Sequence, residues 1–278
     1  MTTSSTTTGS TTTGSLRVPG ARLHYEVRGT GPLVALVGAP MGAAAFEPLA
    51  GLLAADYTVL TTDPRGIGRS PVDDPEQDST PPLRADDLSR LVTEVDAGPA
   101  MVLGSSGGAC TALAFAQAHP DQARRVIAHE PPLDELLPDR DELFKRTDEM
   151  IATYLAGDVM GAWRAFMALS SIDLPDAALE QMFGGERDPQ DAADERRWFA
   201  HELRETVRWK PDLVALRVVR SRLVIGIGED SAGELCDRAS RALGEAVDVS
   251  PTLFPGGHTG FADDPEPFAA RLREVLAA

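Results

Sequence analysis

What constrains this 278-residue chain most is a rhythm that starts early, stops once and then resumes. Short β-branched and apolar runs alternate with longer segments whose apolar residues recur at helical spacing. That pattern predicts a mostly parallel sheet flanked by helices, because parallel neighbours need a long crossover and a helix is the usual one. Leu16–Val18 and Leu23–Val27 read as an opening antiparallel hairpin turning at Pro19-Gly20. A continuous apolar strand at Leu33–Val37 precedes a helix from about Ala43 to Ala55 and a strand at Tyr57–Thr62. From Arg84 to Val95 the spacing of Leu88, Leu91 and Val95, together with Leu83 just before them, puts apolar side chains on one helical side. A strand at Ala100–Leu103, a small-residue helix at Gly107–Ala118 and a strand at Arg125–His129 follow. From Pro131 to about Leu216 no strand pattern occurs, only helix-like stretches rich in Met, Phe and Trp. The alternation returns with a strand at Leu223–Ile227, a helix around Glu234–Leu243, a strand at Val247–Phe254 and a last helix from Pro265 to Leu276.

The expectation is therefore an α/β fold: a mostly parallel, eight-stranded sheet built by residues 16–130 and 217–278, interrupted by a helical cap at 131–216. Residues 1–15, almost entirely Thr, Ser and Gly, have too little apolar surface to fold and are expected to form a flexible tail. They also lack the basic start and apolar run of a secretory signal. Hydrophobic residues at 42% suffice for a core of ordinary size without disulfide or metal staples. A formal charge of −17 repels phosphate backbones and anionic lipid, which argues against nucleic acid and membrane surfaces as partners. No apolar stretch is long enough to span a bilayer, and a cytoplasmic location follows by default. Cys110 and Cys236 stand alone in helix-like segments, so a reduced interior is the simplest reading. Neither an HExxH run nor a Cys/His cluster at ligand spacing occurs, and no metal or cofactor is expected.

The strongest chemical signal is Gly104-Ser105-Ser106-Gly107-Gly108, placed where a buried strand meets a helix. That context is what gives G-x-S-x-G its meaning. A nucleophile on a tight strand-to-helix turn has a strained backbone, and bulky neighbours would collide as the helix folds back over the strand. Glycines at 104 and 108 remove those collisions, and Ala109, Ala112 and Ala114 let the helix pack closely. Ser106 is thereby presented above the sheet, at a helix N-terminus that favours negative charge. Two more signals flank it: Asp63-Pro64-Arg65-Gly66-Ile67-Gly68-Arg69-Ser70 after an earlier strand, and Phe254-Pro255-Gly256-Gly257-His258-Thr259-Gly260-Phe261 after the last. In the second, Gly256 and Gly257 let the loop turn so that the His258 imidazole can reach over the strand ends. His24, His119 and His201 have no comparable setting and read as surface or structural residues.

Taken in order, Val37-Gly38-Ala39-Pro40, DxRGxGxS, GxSxG and the late GGH make the chain resemble the α/β-hydrolase family from its first strand to its last helix. The first loop departs from the family, since Val37 stands where His is usual. The resemblance implies a serine hydrolase with Ser106 as nucleophile, His258 as base, and the backbone N–H groups of Ala39 and Gly107 as an oxyanion hole. It also implies a Pro40 loop that family members often fix with a cis bond, and an Arg65 that supports loop structure. Family members usually carry the third member, an Asp, in a G-x-x-D pattern after the penultimate strand. Here Gly228-Glu229-Asp230-Ser231 puts Ser231 at that place. A second placement, known in some haloalkane dehalogenases, is a carboxylate ending the preceding strand, where this chain has Glu130. Glu130 is favoured as the acid and Asp230, one residue off register, is the alternative.

The implied activity is hydrolysis of a carboxylic ester or related acyl compound with an apolar part, the partner being a small-molecule substrate. Cofactor-free haloperoxidase and C–C bond hydrolase chemistry on the same scaffold are alternatives, as is a non-catalytic binding protein. Dehalogenases and epoxide hydrolases of this fold use Asp as nucleophile, and Ser106 argues against both. The helical segment supplies Met150, Tyr154, Met160, Trp163, Phe166, Met167, Met182, Phe183, Trp198 and Phe199, of which most should form its own small core and a few should line an apolar pocket.

Overall fold

The computed structural model describes residues 11–185 and 187–278. They build one sheet of eight strands: β1 (Thr12–Val18), β2 (Ala21–Arg28), β3 (Leu33–Val37), β4 (Thr58–Thr62), β5 (Ala100–Ser105), β6 (Ala123–His129), β7 (Leu223–Gly228) and β8 (Thr252–Phe254). Their spatial order is β1-β2-β4-β3-β5-β6-β7-β8, with β1 and β2 antiparallel and every pair from β4 to β8 parallel. From β3 the chain steps outward to β4, then returns past β3 to β5 and continues the other way. Loops after β3 and β5 therefore part in opposite directions, and open α/β sheets bind ligands in the crevice at such a switch.

Helices cover both faces. They are α1 (Glu47–Leu53), α2 (Pro81–Val95), α3 (Gly107–Ala118), α4 (Arg140–Leu155), α5 (Val159–Ser170), α6 (Asp176–Phe183), α7 (Pro189–His201), α8 (Leu203–Val207), α9 (Leu213–Val218), α10 (Leu235–Val247), α11 (Gly260–Asp263) and α12 (Pro265–Ala277). Strand alternation sorts the core into two layers. Val34, Leu36, Met101, Leu103 and Ile127 face α1 and α12, whereas Ala35, Val37, Val102 and Ala128 face α2, α3 and α10. Between β6 and β7 the described residues contain helices and turns but no strand. No helix among the described residues is long and apolar enough to cross a membrane.

Several boundaries differ from the sequence reading, each for a physical reason. The expected tail at residues 1–15 falls partly outside the described residues, at 1–10. From Thr12 onward the chain is instead strand, paired with β2 through Thr12–Val27. Its polar side chains are no obstacle, because an outer strand is held by backbone pairing, and Gly14 leaves room for the Tyr25 ring lying against it. The helix expected over Ala43–Ala55 opens with a 3₁₀ turn, Ala43–Phe46, before α1. The strand expected from Val247 starts only at Thr252, since Leu235, Ala239, Leu243 and Val247 form one buried stripe that keeps α10 helical through Val247. Helical turns also continue beyond Leu216, through α9 and on to Arg222.

The Asp63–Ser70 motif ties this architecture together. Asp63 accepts hydrogen bonds from the Ala43 and Arg69 backbone N–H groups and pairs with the Arg69 guanidinium at 2.7 Å, linking the loops after β3 and β4. Arg65, 1% exposed, forks onto both oxygens of Asp87 on α2 at 2.7 Å. Helix α7 docks on the same loop, with the Asp194 carboxylate accepting from Gly68 N–H and Arg197 donating to Gln77 O. Above it, Trp163 stacks on Phe183 and Trp198 and meets Phe199 edge-on, while Tyr154 stacks on Phe199, so most of the aromatic residues of this segment form its own core.

Candidate active site

Ser106 occupies the sharp bend between β5 and α3, at φ 56° and ψ −127°, well outside the regular regions for a residue with a side chain. Two glycines make this bend possible. A Cβ on Gly104 would sit 2.2 Å from Gly108 O, and one on Gly108 would sit 2.1 Å from Val37 O. The backbones of β3, β5 and α3 thus converge more closely than side chains permit. Every neighbour from Met101 to Cys110 is buried, and Ser106 alone among them is partly exposed. Its N–H donates to His129 O at 3.0 Å, which pins the bend to the end of β6.

One residue beyond that strand, Glu130 takes a left-handed turn at φ 52° and is fully buried. Its N–H donates to Gly226 O, its Oε1 accepts from Gly228 N–H at 2.8 Å, and its Oε2 meets His258 Nδ1 at 2.5 Å. Burial alone would raise its pKa. The hydrogen bond and positive charge of His258, with smaller help from His129 and the Ser231 hydroxyl, outweigh burial and hold the carboxyl at about 2. His129 itself is kept neutral by complete burial, which pushes its pKa down to about 4, and it packs edge-on to Phe254 and Phe268. His258, partly exposed, comes from the Gly-rich loop after β8.

Of the two acids weighed for His258, the structure therefore brings Glu130 to the ring. Asp230 is exposed, and only its backbone is engaged, its N–H donating to Gly256 O. Ser231, at the place where the family pattern carries Asp, is buried beside Glu130. The remaining histidines pair elsewhere: His24 with Glu26, His119 with Asp86 and His201 with Asp78.

Ser106 and His258 line one cavity of about 60 Å³ together with Ala39, Pro40 and Gly107. The Ala39–Pro40 peptide is cis. From the helical segment come Met150, Phe166, Leu169, Trp198, Leu203 and Val207, giving the cavity a mainly apolar wall. Of the aromatic and Met residues singled out in the sequence, Met150, Phe166 and Trp198 reach this cavity, whereas Trp163 and Phe183 line a wider groove beside it. Asp134, Thr147 and Cys236 also line the cavity, and sequence patterns did not single them out as site residues. No group of His, Cys, Asp and Glu suited to hold a metal ion occurs among the described residues.

Comparisons with known proteins agree with this architecture. Residues 33–271 match the model of the alpha/beta hydrolase family. The uncharacterized hydrolase YraK of Bacillus subtilis is 30% identical over 267 residues, covering 94% of this chain and 95% of its own. A shorter stretch of 117 residues, 41% of each chain, is 36% identical to 2-(acetamidomethylene)succinate hydrolase of Mesorhizobium japonicum. Among solved structures, E-2-(acetamidomethylene)succinate hydrolase superposes with a TM-score of 0.67 at 23% identity, covering 97% of this chain and 100% of its own. The enol-lactonase of Burkholderia xenovorans superposes with a TM-score of 0.69 at 16% identity, covering 95% and 100%. With a family match over most of its length and a near full-length relative named as a hydrolase, the chain is an enzyme of the alpha/beta hydrolase family.

Proposed function

We propose that this enzyme hydrolyses a carboxylic ester or a related acyl compound with a small apolar part, using Ser106 as nucleophile, His258 as general base and Glu130 as the acid that orients it. The observation that carries this reading is the 2.5 Å contact between His258 Nδ1 and Glu130 Oε2, in a loop whose ring shares a cavity with the strained Ser106. A carboxylate held ionised at Nδ1 fixes the proton on that nitrogen and leaves Nε2 as the acceptor. In this scheme Nε2 takes the Ser106 proton as Oγ attacks the acyl carbon, and the imidazolium formed is stabilised by Glu130. The backbone N–H groups of Ala39 and Gly107 receive the developing oxyanion, each such donor being worth about 3–4 kcal/mol of barrier. Protonated His258 then gives its proton to the departing alkoxide or amine of the substrate, and a water deprotonated by His258 attacks the acyl-Ser106 ester to release the acid and restore the serine. Two of the similar proteins, a 2-(acetamidomethylene)succinate hydrolase and an enol-lactonase, extend the acyl class to consider beyond simple esters.

A fluorophosphonate probe tests the reading directly. Wild type should be labelled on Ser106 and should hydrolyse short-chain p-nitrophenyl esters, and Ser106→Ala should lose both. An unlabelled wild type, or labelling that survives Ser106→Ala, refutes it. Parallel assays of C–C cleavage and halide oxidation separate the rival chemistries.

A further inference from the structure

We infer that Asp134 is a specificity-determining residue of the Ser106 cavity, which hydrogen-bonds a donor group (an ammonium, amide N–H or hydroxyl) carried by the substrate away from its scissile bond. The inference deepens the reading of this cavity as an acyl-hydrolase site and rests on it. Its ground is a contrast in hydrogen-bonding and ion-pair partners. Seven acids are buried among the described residues. Glu130, Asp63, Asp87, Glu195 and Asp237 each hold a partner within 3 Å, and Glu202, whose oxygens also accept no hydrogen bond among the described residues, faces the Arg84 guanidinium as an ion pair at 3.8 Å. Asp134 is 0% exposed, and neither of its oxygens has a partner among the described residues.

The fold places Asp134 there through the chain that leaves β6: after Glu130, Pro131 and Pro132 carry it into a short 3₁₀ turn, Asp134–Leu136, beneath α4 and α10. Thr147 of α4 lines the same cavity, and its hydroxyl is likewise buried and without a partner. The nearby cation, Arg238, is engaged elsewhere, paired with Asp139 at 2.6 Å. Two unsatisfied polar groups in a mainly apolar wall are costly in a folded protein. A ligand that brings donors to them recovers that cost, and one that ends in a methyl group does not. Burial, reinforced by Asp139 and only partly offset by Arg238, pushes the Asp134 carboxyl up to about 7, so that an incoming cation or strong donor favours the ionised acceptor form.

The test uses matched carboxylic esters of equal length whose chains end in methyl, hydroxyl or ammonium, with the variable end placed on the acyl side in one series and the alcohol side in the other. In wild type, kcat/KM for a donor-ended ester should exceed that of its methyl partner by at least about tenfold in one series, since a site built around buried polar groups rejects analogues that leave them unpaired. Asp134→Leu should reverse the preference. Asp134→Asn, which keeps the shape should the Leu variant fail to fold, should lose the ammonium preference and keep part of the hydroxyl preference. Methyl-ended esters turned over as well as or better than donor-ended ones by wild type in both series, or an ammonium preference that survives undiminished in the folded variants, overturn the inference. Failure of the catalytic reading shows itself separately, as absent labelling and absent turnover. The same ligand pairs titrated against Ser106→Ala by fluorescence of Trp198 still decide the role of Asp134 in that case.

Discussion

Glu130 and Asp134 lie four residues apart on one connection, and both are fully buried. Glu130 sits where the ends of β6, β7 and β8 converge. A backbone N–H from β7 and a ring nitrogen from the last loop satisfy it, and its pKa stays at about 2. Asp134 sits beneath the helices that follow, where nothing among the described residues meets its oxygens, and its pKa rises to about 7. The same functional group at equal burial thus differs by several units because partners, more than depth, decide the charge state. Parallel strand ends supply fixed N–H donors and Gly-rich loops that bring a partner in. A wall made of helix faces supplies mainly apolar side chains and leaves a carboxylate to find its partner in a ligand.

The largest expected effect comes from removing the charge at the satisfied site. Glu130→Gln keeps the shape and an acceptor for Gly228 N–H, yet cannot balance an imidazolium, and turnover should fall by roughly 10³–10⁴. Ester hydrolysis measured across pH checks this, with circular dichroism to show that the fold persists. A loss below tenfold would mean that Glu130 only ties the loop after β8 to the sheet.

Asp134→Asn probes the other side of the contrast through stability. An acid whose folded pKa is raised binds more protons folded than unfolded, so it costs stability as pH rises from its ordinary 3.8 through about 7. Asn carries no such charge. Near pH 3 variant and wild type should match, and above pH 8 the variant should be more stable by up to about 4 kcal/mol, as urea midpoints would show. Equal stability at high pH would mean that Asp134 is satisfied in the folded protein.

Glu130 should show the opposite slope at acid pH. Its folded pKa is depressed, so its stabilisation is present above its ordinary 4.5 and is lost as pH falls through about 2. The advantage of wild type over Glu130→Gln should be about 3 kcal/mol at pH 5–6 and vanish near pH 2. Two carboxylates on one connection would then contribute stability with opposite dependence on pH.

Legibility in the sequence follows the same division. The strands of the parallel sheet were readable because each is a short apolar run between helix-period segments, and the β5–α3 bend was readable because close backbone approach demands Gly104 and Gly108. Glu130 stood out as an acid ending a buried strand when Ser231 filled the usual position of Asp. What the sequence hid depends on contacts between distant segments. The first half of β1, Thr12–Ser15, has no apolar residue, since its place in the sheet rests on backbone pairing with β2. The end of α10 was obscured by Val247 and Val249, which suggest a strand until the Leu235–Val247 stripe is seen facing the core. Asp134 carries no local signal in a stretch that follows two prolines, and its meaning emerges only once Thr147 of α4 and Cys236 of α10 are seen around the same cavity.

Asp230 gives the smallest expected effect and the sharpest control. It stands one residue before the family position of the acid, and its carboxylate is exposed, so its charge is screened by solvent. Its role in the loop is carried by the backbone N–H that donates to Gly256 O, which substitution leaves in place. Asp230→Asn should therefore change kcat/KM by less than about twofold, because a screened surface charge contributes little at a distance. A loss comparable to that of Glu130→Gln would require the loop after β7 to rearrange during turnover and hand His258 from one carboxylate to the other. The contrast between the two buried acids would then describe the resting enzyme alone.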